Sequence, residues 1–277
     1  MPGPHASKPK DRIEIREVEL AVASQLNTAL WTAWRRKQLQ KVKTTSIGAK
    51  LLACGVLVCT LLAICLSANS AGNAPPDMAR FSHPREITNP YLPFASLKQD
   101  ILEGSGERVE RTVRPELRKT FQVHHQTVEV LTVEDREFKH GQLAEVAFDY
   151  VAQADDGTIY YLGEDVDEYR NGKVVSHSGA WLFGRDTPRM GVLMPAHPQV
   201  ADKFRSEDVP KITWENDEVV AVAETVIVPA GIFKGCVKIR EKLSDGSTEY
   251  KLYAPGVGAV KEIESDGAVS LRSHTTI

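Results

Sequence analysis

The chain is poor in the residues that build reactive centres or covalent scaffolds. Of its 277 residues only four are cysteine and 7% are aromatic. It contains no HExxH, no GxSxG, no Walker loop, no glycine-rich dinucleotide fingerprint and no CxxC pair. The usual signatures of zinc proteases, serine hydrolases, nucleotide-binding enzymes and dithiol redox proteins are therefore missing. Cys54, Cys59 and Cys65 lie inside one apolar run, so a product cleaved after that run keeps Cys236 alone and forms no internal disulfide. Cys236 opens an alternating strand without a histidine nearby in sequence, which suits a buried structural thiol rather than a nucleophile. Asp165 and Asp167 resemble the start of a calcium loop, but Tyr169 and Arg170 stand where a further oxygen ligand and a glycine are required.

The longest uncharged apolar run extends from Leu51 to Leu66, after Lys41, Lys43 and Lys50 and before the small residues Ser67 to Ala71. Ala68 and Ser70 occupy the −3 and −1 places of a signal-peptide cleavage site, which would make Ala71 the first mature residue. Residues 47–71 are also near the length that spans a bilayer, so cleaved signal and retained membrane anchor both stand as readings. Either way the basic flank Arg35, Arg36, Lys37 and Lys41 holds the N-terminal side in the cytoplasm and sends the C-terminal part outside, to a periplasmic or extracellular location. Ile64 stands where a lipoprotein signal needs a small residue before its cysteine, which argues against lipidation of Cys65.

Residues 1–46 are long for a leader. One reading makes residues 12–41 a cytoplasmic amphipathic helix, on Ile15, Val18, Leu20, Val22, Leu26, Leu30 and Trp34 near helical spacing; the other starts translation at Val42 rather than Met1. Charge divides at the same place. Residues 1–50 carry ten Lys/Arg against four Asp/Glu, whereas residues 51–277 carry 24 against 33. An acidic exported domain argues against nucleic acid or an anionic membrane surface as its partner and suits cations or a basic partner.

After a proline-rich linker over residues 72–95, residues 96–277 read as one β domain. Turn signals recur at His140-Gly141, Asp156-Gly157, Asn171-Gly172, Asp245-Gly246 and Asp266-Gly267, flanked by strand-forming runs such as AEVAFDYVAQA and VVAVAETVIV. The fold class that follows is mainly β, an antiparallel meander of hairpins after an N-terminal hydrophobic helix. Residues 199–207 are a weak helical candidate, and His124-His125 reads as part of a strand, with the two side chains on opposite faces.

The turns also predict register. A two-residue loop at Asp156-Gly157 pairs Asp149 with Glu164 and Glu145 with Glu168, and puts Val146, Phe148, Tyr150 and Ala152 on the core face with Ile159 and Tyr161. The loop at His140-Gly141 places Arg136 opposite Glu145, and the loop at Asn171-Gly172 places His177 diagonal to Glu164. Carboxylates directly opposite one another are destabilising. A solvated face with Arg136 sharing the field accounts for them; so does a divalent cation held by Asp149, Glu164 and His177, or a carboxylate pair sharing a proton. His197, between prolines in MPAHP, reads as an exposed loop histidine or as the rim of a pocket.

Five phrases, ITNPYLPF (87–94), FDYVAQADDGTIYYLGED (148–165), VLMPAHPQVADKFR (192–205), VIVPAGIFKGCVKIRE (226–241) and YKLYAPGVGAVKE (250–262), together resemble a widespread group of exported bacterial proteins of uncharacterised function. Ala154 and Tyr160 depart from that pattern, where an acidic residue and a tryptophan are common. The resemblance implies a strongly curved sheet or half-barrel with an apolar concavity. The expected function is an exported cell-envelope domain, non-catalytic, binding a small apolar or lipid ligand or an envelope protein. The alternatives are a metal-assisted hydrolase using Asp149, Glu164 and His177 with His197 as acid or base, and a purely structural envelope protein.

Overall fold

The computed structural model describes residues 79–277, and the leader, the apolar run and the first part of the linker lie outside the described residues. The described chain is an antiparallel sheet of fifteen strands that does not close into a barrel. Its first half holds β1 (Leu97–Gly104), β2 (Glu107–Val113), β3 (Lys119–Val123), β4 (Gln126–Lys139), β5 (Gln142–Gln153), β6 (Ile159–Arg170) and β7 (Lys173–Ser176). The second half holds β8 (Trp181–Leu182), β9 (Gly191–Met194), β10 (Lys203–Val209), β11 (Thr213–Val228), β12 (Gly231–Leu243), β13 (Thr248–Ala254), β14 (Gly258–Ile263) and β15 (Ala268–Thr276).

The ladder runs β10-β11-β12-β13-β14-β15-β1-β2-β4-β5-β6-β7, so each half is a meander of hairpins and β15 against β1 joins the halves. Short β8 and β9 return to pair with β6, and β10 packs against β9 at the far end of the path from its own hairpin. That approach is close: a Cβ on Gly191 would lie 1.7 Å from the Ser206 carbonyl oxygen.

All five turn signals fall between paired strands. His140-Gly141 and Asn171-Gly172 have positive φ at both central residues, the geometry of a type I′ turn. Asp156-Gly157 differs from the expectation. Ala154 pairs with Thr158 around a three-residue loop, and the residues nearest the turn shift by one. A bulge then sets Leu162 and Gly163 against Tyr150 and restores the predicted register beyond it, so that Asp149 faces Glu164 and Glu145 faces Glu168. Gly163 is required there, with φ of 125° and space for a Cβ only 2.2 Å from the Trp181 carbonyl oxygen.

A second bulge, in the β4–β5 hairpin, corrects the other pairing. Glu137, not Arg136, stands opposite Glu145, and Arg136 faces Val146 on the other side of the sheet. His124 and His125 form the turn between β3 and β4, both exposed, instead of lying within a strand. Residues 199–207 are a turn followed by β10, not a helix.

Both faces of the central strands are covered, because the sheet packs on one side against itself and on the other against irregular chain. Phe148, Tyr150 and Ala152, with Tyr160 and Leu162, face outward into a cluster with Phe81, Phe121 and Val128. Val151, Ile159 and Tyr161 face inward with Leu131, Trp181, Val237 and Ile239. Ile159 and Tyr161 are thus on the opposite face from Tyr150 and Ala152, separated from them by the shifted loop. A third cluster, around Leu102, Val226, Cys236 and Leu271, covers β12–β15 and β1; Cys236 is fully buried within it.

The described part of the segment read as linker, residues 79–95, is packed into the domain. Phe81, Ile87, Leu92 and Phe94 are buried, and Asn89 joins distant turns. Its Nδ2 donates to the carbonyls of Gly157 and Pro195 at 3.0 and 3.1 Å, and its Oδ1 accepts from Tyr91 N–H. The Pro90 carbonyl accepts from Gly256 N–H at 2.7 Å, and Tyr91 Oη donates to the Gly235 carbonyl at 3.5 Å. The five phrases quoted above therefore meet along one strap, which gives their turns a structural purpose.

Candidate functional site

The inward strand rows change character half-way along. On β4, Leu131 and Val133 are followed by Asp135 and Glu137; on β5, Val151 is preceded by Asp149 and Glu145; on β11, Val219 is preceded by Asp217 and Glu215. On β12, Val237 and Ile239 lead to Glu241, and on β13 Lys251 leads to Tyr253. One half of the interior is an apolar core. The other half encloses a chamber of about 210 Å³, open at one side, with Leu92, Phe94, Val133 and Val151 at its apolar end.

Seven carboxylates line this chamber against two cations. Each cation is already engaged. Arg111 binds Asp135 through Nε and Nη2, the shortest contact being 2.6 Å, and reaches Glu262 at 3.5 Å. Lys251 Nζ lies 2.9 Å from Glu241 Oε2. That leaves Glu137, Glu145, Asp149, Glu164, Glu207 and Glu215 without a cationic partner of their own among the chamber residues.

Burial and mutual repulsion show in their ionisation. Burial raises the Asp149 carboxyl, and the charge of Asp135 adds to it, against the hydrogen bond that Tyr161 Oη donates to Asp149 Oδ1 at 2.6 Å. Burial raises Glu164 further, reinforced by the charges of Asp149 and Glu207. Glu207 is raised by burial despite two donors, Trp181 Nε1 at 3.1 Å and Thr213 Oγ1 at 2.5 Å. Glu137 is pushed up to about 8 by burial and by Glu145 opposite it. Glu164 on β6 and Glu207 on β10 meet across the contact between the two ends of the sheet, and the neighbouring Glu207 carboxyl favours the protonated form of Glu164.

The structure brings Asp149 and Glu164 together but not the two histidines. His177 follows the end of β7, mostly exposed, with Nδ1 3.0 Å from the Val166 carbonyl and 2.8 Å from Asp167 Oδ1. His197 is exposed in its loop. Among the described residues no histidine or cysteine lines the chamber. Sequence reasoning missed Glu207, Glu215, Asp217 and Glu241. For the last three the available signal was the alternation in TWENDEV and VKIREKL, which sets Glu215, Asp217 and Glu241 on the same face as Val219 and Ile239.

No family model matches the chain, and no curated protein or solved structure matches it.

Proposed function

We propose that this is an exported, non-catalytic binding domain whose sheet curves as a half-barrel around an acidic chamber and takes a small cationic ligand there. The observation that carries the reading is the excess of seven carboxylates over two cations, both of them paired. Carboxylates that repel one another in a desolvated site lower stability, and a bound cation removes that repulsion. The volume of about 210 Å³ suits a hydrated metal ion or a compact amine. Drug-sized and lipid-sized ligands occupy about 300–1,000 Å³, so the chamber argues against the lipid expected from an apolar concavity. The basic flank and apolar run of residues 41–66 support export, with the domain anchored or released at the outer face of the membrane.

A hydrolase built on Asp149, Glu164 and His177 is the weaker reading, because His177 is held at Val166 and Asp167 away from the chamber lining. Thermal denaturation of the full chain at pH 7.5 against calcium, magnesium, putrescine and a fatty acid tests the proposal. Stabilisation by a cation or the diamine supports it, whichever wall of the chamber holds the ligand. A response to the fatty acid alone, or to none of the four, overturns it and favours a lipid-binding or purely structural role respectively.

A further inference from the structure

Where Glu215 lines the chamber, the carboxylates of Asp217 and Glu241 converge on it from behind the lining, and one oxygen from each of the three lies within 4.8 Å of the others. Their strands place them. Asp217 pairs with Glu241 across the β11–β12 ladder, and Glu215 lies two residues from Asp217 on the same face. A second observation comes from a different strand. Ser206 on β10 is 5% exposed and donates its N–H to Asp217 Oδ2 at 3.0 Å, yet its Oγ has no hydrogen-bond partner among the described residues. Asp217 is 4% exposed, and its Oδ1 has no partner outside the carboxylate cluster. A buried hydroxyl left unpaired costs about 1–3 kcal/mol, so a site that keeps one there has a use for the oxygen.

We infer that Glu215, Asp217 and Glu241, with the Ser206 hydroxyl, form a binding site for a divalent cation of the calcium class. Every donor is a hard oxygen, which selects against softer metals that prefer imidazole or thiolate. Calcium–oxygen distances of about 2.3–2.6 Å put opposed ligands roughly 4.6–5.2 Å apart, and three oxygens lying within 4.8 Å of one another fit inside one such coordination sphere. Magnesium demands near-ideal octahedral geometry and gives up its waters reluctantly, so a set of protein carboxylates with a hydroxyl suits calcium better. Charge balances as well: three carboxylates and the Lys251 ammonium at Glu241 leave a formal −2, which one dication neutralises. Ser206 and Glu215 line the chamber, so the ion has a path from solvent. The inference rests on the chamber's being a cation site and assigns the ion to this wall instead of to Asp149 and Glu164.

Isothermal titration of the full chain with calcium alone at pH 7.5, and with magnesium for comparison, tests it. We expect one calcium per chain, bound at least 10-fold more tightly than magnesium. Asp217→Asn should weaken calcium at least 10-fold and Ser206→Ala by a smaller factor, while Glu164→Gln leaves it within about twofold. Near-UV circular dichroism checks that each variant is folded, and Ser206→Ala keeps the test decisive if Asp217→Asn is not. Calcium binding unchanged in Asp217→Asn and Ser206→Ala but lost in Glu164→Gln overturns this assignment and keeps the chamber reading. So does putrescine binding, lost in Glu164→Gln, with no response to calcium. No binding of either probe overturns both.

Discussion

The two faces of β5 are built by different rules. Outward, Tyr150 and Ala152 sit in a cluster with Phe81, Phe121 and Leu162, where every contact stabilises the fold. Inward, Val151 joins the core, but Asp149 and Glu145 look across at Glu164, Glu137 and Glu168. A sheet that needed only to be stable would continue the apolar row. The inner face gives up stability at its charged end, and such losses are expected where a site is kept for a ligand.

The largest effect should come from the outward face. Leu162→Ala removes a fully buried side chain and should lower the unfolding free energy by about 2–5 kcal/mol in urea denaturation, with the response to cations retained. Asn89→Ala should cost about 2–4 kcal/mol, since it removes three side-chain hydrogen bonds and leaves the Gly157 and Pro195 carbonyls unpaired.

On the inner face the direction reverses. The folded-state ionisation of Glu164 lies above its ordinary value of 4.5, so the folded chain keeps a proton that the unfolded chain releases. Stability from this group is therefore lost as pH rises above about 4.5. Glu164→Gln should raise stability at pH 8 relative to the parent and change it little at pH 4.5. Glu137, pushed up to about 8, should give the same sign over the window from 4.5 to 8, so Glu137→Gln should flatten the pH profile there. The smallest effect is expected at Ile227, 74% exposed near the tip of the β11–β12 hairpin, where Ile227→Lys should stay within about 0.5 kcal/mol.

Much of this architecture is written locally in the sequence. Asn171-Gly172 and His140-Gly141 set their hairpins because left-handed backbone is cheap only for such residues. The Asp149–Glu164 pairing is legible for a less direct reason: the three-residue loop at Asp155 to Gly157 moves the register by one, and the bulge at Leu162-Gly163 moves it back. Which face is inward is not legible from β5 and β6 alone. Near the turn both faces are apolar, and only the strap over residues 79–95 and the flap of β3 show that Tyr150 faces outward. Arg136 was misplaced because nothing local to Ala144 signals the bulge that brings Glu137 opposite Glu145. The wall of Glu215, Asp217 and Glu241 depends on β10 and β11, whose connection through Pro210 and Lys211 lacks an Asn-Gly or Asp-Gly signal.

The most direct test of the account is the unfolding free energy of the full chain, measured in urea with a metal chelator from pH 5 to pH 8. Surface carboxylates held low by partners, such as Asp155 and Asp208, have finished titrating below this window, so the raised inner-face acids dominate within it. The account predicts that stability falls steadily as pH rises, and that a bound cation restores it at pH 8. Stability that stays level or climbs across the window would contradict it, because the inner carboxylates would then be no burden for a ligand to relieve.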